Sequence, residues 1–309
     1  MLDSAPIHLH VEPADAGRPL VAIVERAVDD HADAALLIAR GGLWVEKARV
    51  IDGSLPAEVG AHVTIHTPPG GTYHDVVFDP AWIVFEDADL LALNKPAGVY
   101  TGMTPWDVEG NIQAALDCFL TERDGTPPQL HAAHRLDRNT SGVLLFSKNP
   151  AVNSKLQRAF AEHQARKTYL CLCAGQPEAD EWTVETGHGR TINGHFHAYP
   201  REHVGQMLLH GSVVKHMITR FVVVERHDDG TLLHAFPQTG RTHQIRLHAA
   251  FAGHPLVGDA KYGGPTIWRN MPVFHHHLHA ARLQLPHPRT NEPLTIEAPL
   301  PEWACTADY

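Results

Sequence analysis

His134-Arg135-Leu136-Asp137-Arg138-Asn139-Thr140-Ser141-Gly142 runs directly into the apolar stretch Val143-Leu144-Leu145-Phe146. This junction decides how the chain is organised. The apolar run reads as a core strand, so the polar residues before it occupy a loop at a strand edge. A carboxylate placed there between two arginines is held ionised at neutral pH, because nearby cations favour the charged form. That state suits a nucleophile or a base. Standing alone, the same segment is also what a solvated Arg-Asp turn ahead of a core strand looks like. The kinase catalytic loop differs: its Asp directly follows His-Arg, whereas Leu136 intervenes here, and no phosphate-cradling glycine loop accompanies it.

Outward from this junction, strands are expected over 90–94, 142–147 and 167–173, with helices over 111–123 and 149–163. Segments 221–225 and 232–236 flank Asp228-Asp229-Gly230, a hairpin signal. The elements lack the regular strand-helix-strand rhythm of a doubly wound sheet, so an α+β fold with a mixed, largely antiparallel sheet is expected. Toward the N-terminus, Leu20, Ile23, Val24 and Ala27 have helical spacing, and Ala35, Leu36, Ile38 and Ala39 suggest a second helix stopped by Gly41-Gly42. Short strands are expected at 43–45 and 61–65. Thr67-Pro68-Pro69-Gly70-Gly71 reads as a linker, which divides the chain into a small α/β module over 1–75 and a larger domain over 76–309.

The 309 residues are 43% apolar and 19% charged, with no apolar run long enough to span a bilayer. Residues 1–13 lack the basic flank and apolar block of a secretory signal, so a cytoplasmic, monomeric protein is expected. The four cysteines, Cys118, Cys171, Cys173 and Cys305, form no pair with a two-residue gap and read as buried free thiols. A formal net charge of −10 argues against a protein that coats nucleic acid without specificity, but leaves room for a locally basic cleft.

Two more segments carry chemistry. Gly240-Arg241-Thr242-His243-Gln244-Ile245-Arg246 opens a helix that Gly253 closes, with Pro255 beyond. Arg241 and Arg246 suit phosphate or carboxylate binding, being planar forks of fixed charge. Lys167-Thr168-Tyr169 heads a strand on which Tyr169, Cys171 and Cys173 share a face.

Taken in order, these segments resemble the RluA-like family of pseudouridine synthases. Its signature, His-Arg-Leu-Asp followed two residues later by Thr-Ser-Gly, stands at 134–142. A Lys-x-Tyr strand follows at 167–169, and Gly-Arg-Thr-His-Gln-Ile-Arg at 240–246. Asn94-Lys95-Pro96-Ala97-Gly98, Gly253-His254-Pro255-Leu256-Val257-Gly258-Asp259 with Tyr262-Gly263, and Leu278-His279-Ala280 agree as well. The resemblance covers roughly residues 82–300. It implies an RNA pseudouridine synthase fold and an isomerase acting on uridine in structured RNA, with ribosomal RNA favoured over transfer RNA. It further implies Asp137 as the catalytic carboxylate, Tyr169 packed against the target base, Arg246 paired with Asp137, and Arg135 entering the RNA as the uridine flips out. RNA contacts are expected from Arg138, Lys95, Lys167, Arg241 and His243 besides Arg135. No nucleotide or redox cofactor is expected, since the isomerisation needs a closed pocket alone. Whether the carboxylate attacks the anomeric carbon or abstracts the 2′ proton stays open.

The N-terminal module resembles the alpha-L RNA-binding module that accompanies this domain in relatives, but departs from it in charge. Residues 1–75 hold five Lys plus Arg against eleven Asp plus Glu, a net of −6, so the module either binds RNA weakly or is a structural appendage. Two rival readings use the same residues. One is a catalytically silent RNA-binding or ribosome-assembly protein, which has no need of the trio Asp137, Tyr169 and Arg246. The other is a metal hydrolase built on His275, His277 and His279, which share a face if 275–279 is a strand. The 25 histidines of the chain and the lack of a carboxylate in that run speak against it.

Overall fold

A computed structural model of the chain describes residues 5–28, 33–209 and 211–305. These fall into two compact units, Met1–Phe78 with Tyr100–Pro127, and Asp79–Val99 with Pro128–Tyr309.

The first unit is a four-stranded antiparallel sheet with helices packed on it. Its strands are β1 (Ile7–His10), β2 (Leu43–Val45), β3 (Ala48–Val50) and β4 (His62–Ile65), in the order β1-β4-β2-β3. Helix α1 (Leu20–Ala27) buries Leu20, Ile23 and Val24, and α2 (Ala34–Ala39) buries Leu37 and Ile38, against Leu43, Val63 and Ile65. Asp33 caps α2 by accepting from Leu36 N at 2.9 Å. Helix α3 (Ile112–Asp124), capped by Asn111, belongs to the same unit. The unit is therefore discontinuous, which a single cut near residue 75 does not anticipate. Its two segments are joined by the buried Arg40, which donates Nε and Nη2 to the Asp107 carboxylate at 2.9 and 2.7 Å. Nothing in the local sequence pairs residues 67 positions apart.

The second unit is organised on a mixed sheet containing one parallel pair. Its strands are β5 (Ile83–Glu86), β6 (Leu90–Lys95), β7 (His131–Ala132), β8 (Ser141–Ser147), β9 (Arg166–Ala174), β10 (Glu181–Arg190), β11 (Phe196–Tyr199), β12 (Lys215–His227), β13 (Gly230–Pro237), β16 (Leu278–Pro286) and β17 (Pro293–Glu297), with β14 (Ile267–Trp268) and β15 (Met271–Pro272) forming a separate hairpin. The main path runs β11-β10-β12-β13-β9-β16-β8-β6-β5. Helix α4 (Pro150–Ala161) follows β8, and α5 (Gln244–Phe251) follows β13. Leu90, Ala92, Val143, Leu145, Leu156, Leu283 and Ile296 form a core cluster.

Pairing register explains how distant motifs meet. Lys95, Gly142, Ala280, Tyr169, Ala235 and Phe221 are successive partners across β6, β8, β16, β9, β13 and β12. The close approach at Gly142 requires glycine: its φ is +103°, and a Cβ there would lie 2.3 Å from the Ala280 carbonyl oxygen. Strands β10 and β11, rich in Gly, His and charge, lack the apolar alternation that would announce them. Residues 275–277 precede β16, so the three histidines of the metal reading do not share a strand face. Cys171 and Cys173 are buried, but Cys118 and Cys305 are exposed. No helix among the described residues is long and apolar enough to cross a membrane.

Candidate active site

The signature loop joins β7 to β8. Thr140 N donates to the Asp137 carbonyl at 3.1 Å, closing a turn. The next contacts fasten that turn to the chain entering β16: Thr140 Oγ1 lies 2.9 Å from His276 Nε2, and Ser141 Oγ lies 2.8 Å from His279 Nδ1. Burial holds both imidazoles below their usual range, His279 at about 4. His134 Nε2 accepts from Leu145 N at 3.3 Å, and burial pushes it down to about 3, so it stays a neutral acceptor. The residues around Asp137 in the signature thus place its backbone.

Helix α5 brings the arginine. Gln244, at its first turn, donates to Ile218 O at 2.8 Å and to Thr219 Oγ1 at 3.0 Å, while His248 bridges the Thr219 and Thr186 hydroxyls. These polar contacts pin a largely buried helix to β12 and β10. From it, Arg246 Nη1 donates to Asp137 Oδ2 at 3.1 Å. The expectation that Arg246 pairs with Asp137 needs a correction of rank, because its bidentate partner is Asp259, reached through Nε and Nη2 at 2.7 and 2.8 Å. The Asp259 side chain is 1% exposed and that of Asp137 25%. Burial works against the Arg246 charge, but the hydrogen bonds and charge of Asp259 outweigh it and raise the pKa.

Tyr169 is buried, and burial followed by the charge of Asp137 pushes its phenol up, leaving a neutral ring beside the carboxylate. His243 has Nε2 at 3.8 Å from Asp137 Oδ2 and Nδ1 at 2.7 Å from the Tyr262 hydroxyl. Burial pulls it down to about 4 against the opposing pull of Asp137. The structure therefore gathers a carboxylate, a shared guanidinium, a neutral imidazole and a neutral phenol.

Residues 89–251 match a family described as RNA pseudouridylate synthase. RNA pseudouridine synthase 1 of Oryza sativa subsp. japonica is 38% identical over 265 residues, covering 74% of each chain. The chain belongs to the RNA pseudouridylate synthase family. Ribosomal large subunit pseudouridine synthase C of Escherichia coli (strain K12) is 35% identical over 227 residues, 71% of this chain and 66% of that one. The solved structure of human RNA Pseudouridylate Synthase Domain Containing 1 superposes with a TM-score of 0.56 at 29% identity, covering 71% of this chain and 83% of that one. The synthase is an isomerase that converts uridine to pseudouridine in RNA.

The remaining expected site residues of the synthase divide. Arg135 is exposed; Lys167 and Arg241 are half-buried, with Arg241 Nε donating to His216 O at 3.1 Å. Lys95 is corrected. It has no exposed surface, and its ammonium donates to the carbonyls of Pro96, Val99 and Arg138 at 2.8, 2.8 and 3.1 Å, so it joins the 96–99 loop to the signature loop and does not reach RNA. Arg138 Nε strengthens the same joint by donating to Gly98 O at 3.0 Å. Sequence reasoning assigned no role to Asp259, Tyr262 or His276. The Gly258-Asp259 and Tyr262 positions were visible in the pattern, but only contact with Arg246 and His243 gives them meaning. His276 and His279 are spent on the signature hydroxyls, and His277 stacks on Trp303 with ring centroids 4.8 Å apart. The histidine run braces the loop. No group of three or more His, Cys, Asp or Glu among the described residues is arranged to hold a metal.

Proposed function

We propose that the synthase isomerises uridines of a structured ribosomal RNA, in preference to transfer RNA, with Asp137 as the carboxylate that carries the reaction. The observation that carries this reading is the 3.1 Å hydrogen bond from Arg246 to a three-quarters buried Asp137 carboxylate. Paired with Arg246 and still open on one side, that group can act on the sugar of a base brought to it. The bond from the anomeric carbon to N1 breaks and N1 keeps the electron pair, the captive uracil turns, the bond from the anomeric carbon to C5 forms, the C5 proton leaves and N1 takes up a proton; atoms and electrons balance without a redox partner. Tyr169 packs on the uracil, where stacking on an aromatic face is worth about 1–3 kcal/mol. Exposed Arg135 enters the gap left by the flipped nucleotide and offsets an unstacking cost of a few kcal/mol. Arg138, Lys167, Arg241 and His243 complete the RNA contacts.

Ribosomal RNA is favoured because relatives at 33–36% identity carry the name ribosomal large subunit pseudouridine synthase C. We place the reaction in the cytoplasm, carried out by a monomer, since one chain supplies Asp137, Tyr169 and Arg246. The test is release of tritium from C5 of labelled uridine in RNA. Asp137→Asn is expected to abolish it while RNA binding persists, because phosphate contacts lie elsewhere. Wild-type release by that variant would return the protein to the silent-binder reading. Pseudouridine mapping in cells with and without the gene identifies the RNA; a lost site in transfer RNA alone would refute the ribosomal preference.

A further inference from the structure

We propose that Asp259 and Tyr262 are positioning residues of this synthase, which from one rigid segment aim Arg246 and His243 at Asp137. This inference rests on Asp137 being the catalytic carboxylate.

The guanidinium presents its donors in one plane. Asp259 occupies the edge formed by Nε and Nη2, so Arg246 turns only Nη1 toward Asp137. Without Asp259, the whole fork would close on Asp137 as a bidentate pair and engage both its oxygens. With Asp259 in place, the Arg246 and His243 contacts both fall on Oδ2, so neither consumes Oδ1. The single positive charge is also divided between two carboxylates, which keeps Asp137 from being neutralised in a closed ion pair. Tyr262 acts on the other donor. A neutral imidazole has one N–H and one acceptor nitrogen; with the Tyr262 hydroxyl 2.7 Å from Nδ1, the tautomer that accepts from it there is the one that leaves Nε2–H for the Asp137 side, and His243 is assigned to that tautomer. The ring of Tyr262 also lies under the Arg246 guanidinium, 5.1 Å from centroid to Cζ.

The segment that carries both residues is built not to move. Gly258 has φ +80°, and a Cβ there would lie 2.2 Å from the His275 carbonyl oxygen. Gly258 N donates to Pro265 O at 2.7 Å, Tyr262 N to Asp259 O at 3.1 Å and Gly264 N to Asp259 O at 2.9 Å, closing the loop on itself. Val257 N donates to Leu172 O at 2.9 Å, tying the loop to β9, the strand that bears Tyr169. At 1% side-chain exposure, Asp259 has no surface to offer RNA, so its influence passes through Arg246.

Two double-mutant cycles test this, with single-turnover tritium release, RNA Kd and thermal midpoint measured for each protein. Asp259→Asn is expected to slow single turnover by about 10²-fold, the effect of misplacing a reacting group by about 1 Å, with RNA Kd unchanged. In an Arg246→Ala background the same substitution should slow it by less than about 3-fold, because the group it positions is gone. Tyr262→Phe removes one hydroxyl and should slow turnover about 5-fold, the worth of one neutral hydrogen bond, with no further loss in a His243→Ala background. Equal losses in both backgrounds, or wild-type turnover in folded Asp259→Asn and Tyr262→Phe, would overturn the proposal. If Asp259→Asn does not fold, the Tyr262 cycle decides alone by the same criteria. Asp137→Asn separates the two levels: persistent release there sinks the site reading itself, whereas a silent Asp137→Asn beside wild-type-like Asp259→Asn and Tyr262→Phe sinks only this inference.

Discussion

Arg246 serves two carboxylates at once, and the division of labour between them predicts unequal stability losses for two substitutions. Asp137→Asn removes one single-point contact and leaves the bidentate Asp259 pair intact, so unfolding free energy should change by no more than about 1 kcal/mol. Asp259→Ala removes the bidentate, fully buried partner and leaves Arg246 only the partly exposed Asp137 to close on, so it should cost more, about 3 kcal/mol, the low end for breaking a buried pair. Urea midpoints of the two variants check the pair; a loss in Asp137→Asn as large as in Asp259→Ala would show that Asp137 is the principal counter-charge. Arg135, exposed and outside that pair, behaves differently again. Arg135→Ala should fold as the parent and lose most turnover on a duplex-embedded uridine, with a smaller loss on an unpaired one, because only the former needs the vacated stack filled. Equal losses on both substrates would remove Arg135 from the flipping step.

At the level of elements, the parallel pairing of β8 with β16 is what makes the Thr-Ser-Gly of the signature intelligible. Thr140 and Ser141 hydrogen-bond to His276 and His279, and Gly142 lets the two backbones touch. Gly142→Ala would combine an unfavourable φ with a Cβ driven against the Ala280 carbonyl, at a cost of about 3 kcal/mol or more. Denaturant unfolding measures it, and a wild-type midpoint would show that β16 can retreat. Helices were legible wherever a cap and an apolar period coincided, as at Asn111 before α3 and Asn149 before α4. Helix α5 was legible too, from its closing Gly253 and Pro255, but not the role of its polar buried face: Gln244, Arg246 and His248 are satisfied by partners on β12, β10 and the 256–265 loop, which no local pattern announces.

At the scale of the whole molecule, an unusual number of neutral imidazoles is locked inside. Burial holds His134 at about 3, His248 at about 3 and His279 at about 4, against 6.5 when exposed. The unfolded chain therefore binds more protons than the native one below pH 6.5, and stability falls as pH drops, down to the native values. For these three groups the fall is about 4 kcal/mol between pH 7 and pH 5.5. Denaturant midpoints at the two pH values, with proton uptake on unfolding, check it; a flat profile would mean that the native imidazoles protonate freely. The discontinuous first unit makes a further prediction. A fragment of residues 76–309 loses Arg40 and leaves the buried Asp107 carboxylate unpaired, so limited proteolysis should cut first within 100–127 while residues beyond 128 stay protected. Full protection of 100–127 would mean that this segment folds without residues 1–75.

Patterns that depend on neighbours in the chain were determined by the amino-acid sequence itself: the apolar strand after Asp137, the capped helices, the hairpin at Asp228-Asp229-Gly230, and the ordered motifs that mark the family. Each rests on local periodicity, turn chemistry or charge, which act over a few residues. The tertiary structure alone decided which partner each polar group takes. Asp259 outranks Asp137 for Arg246, Lys95 turns inward to three carbonyls, and the histidine run braces a loop where its spacing suggested a metal site. Burial and the geometry of a hydrogen bond set those choices, and both arise only when strands and loops far apart in the chain are brought into register.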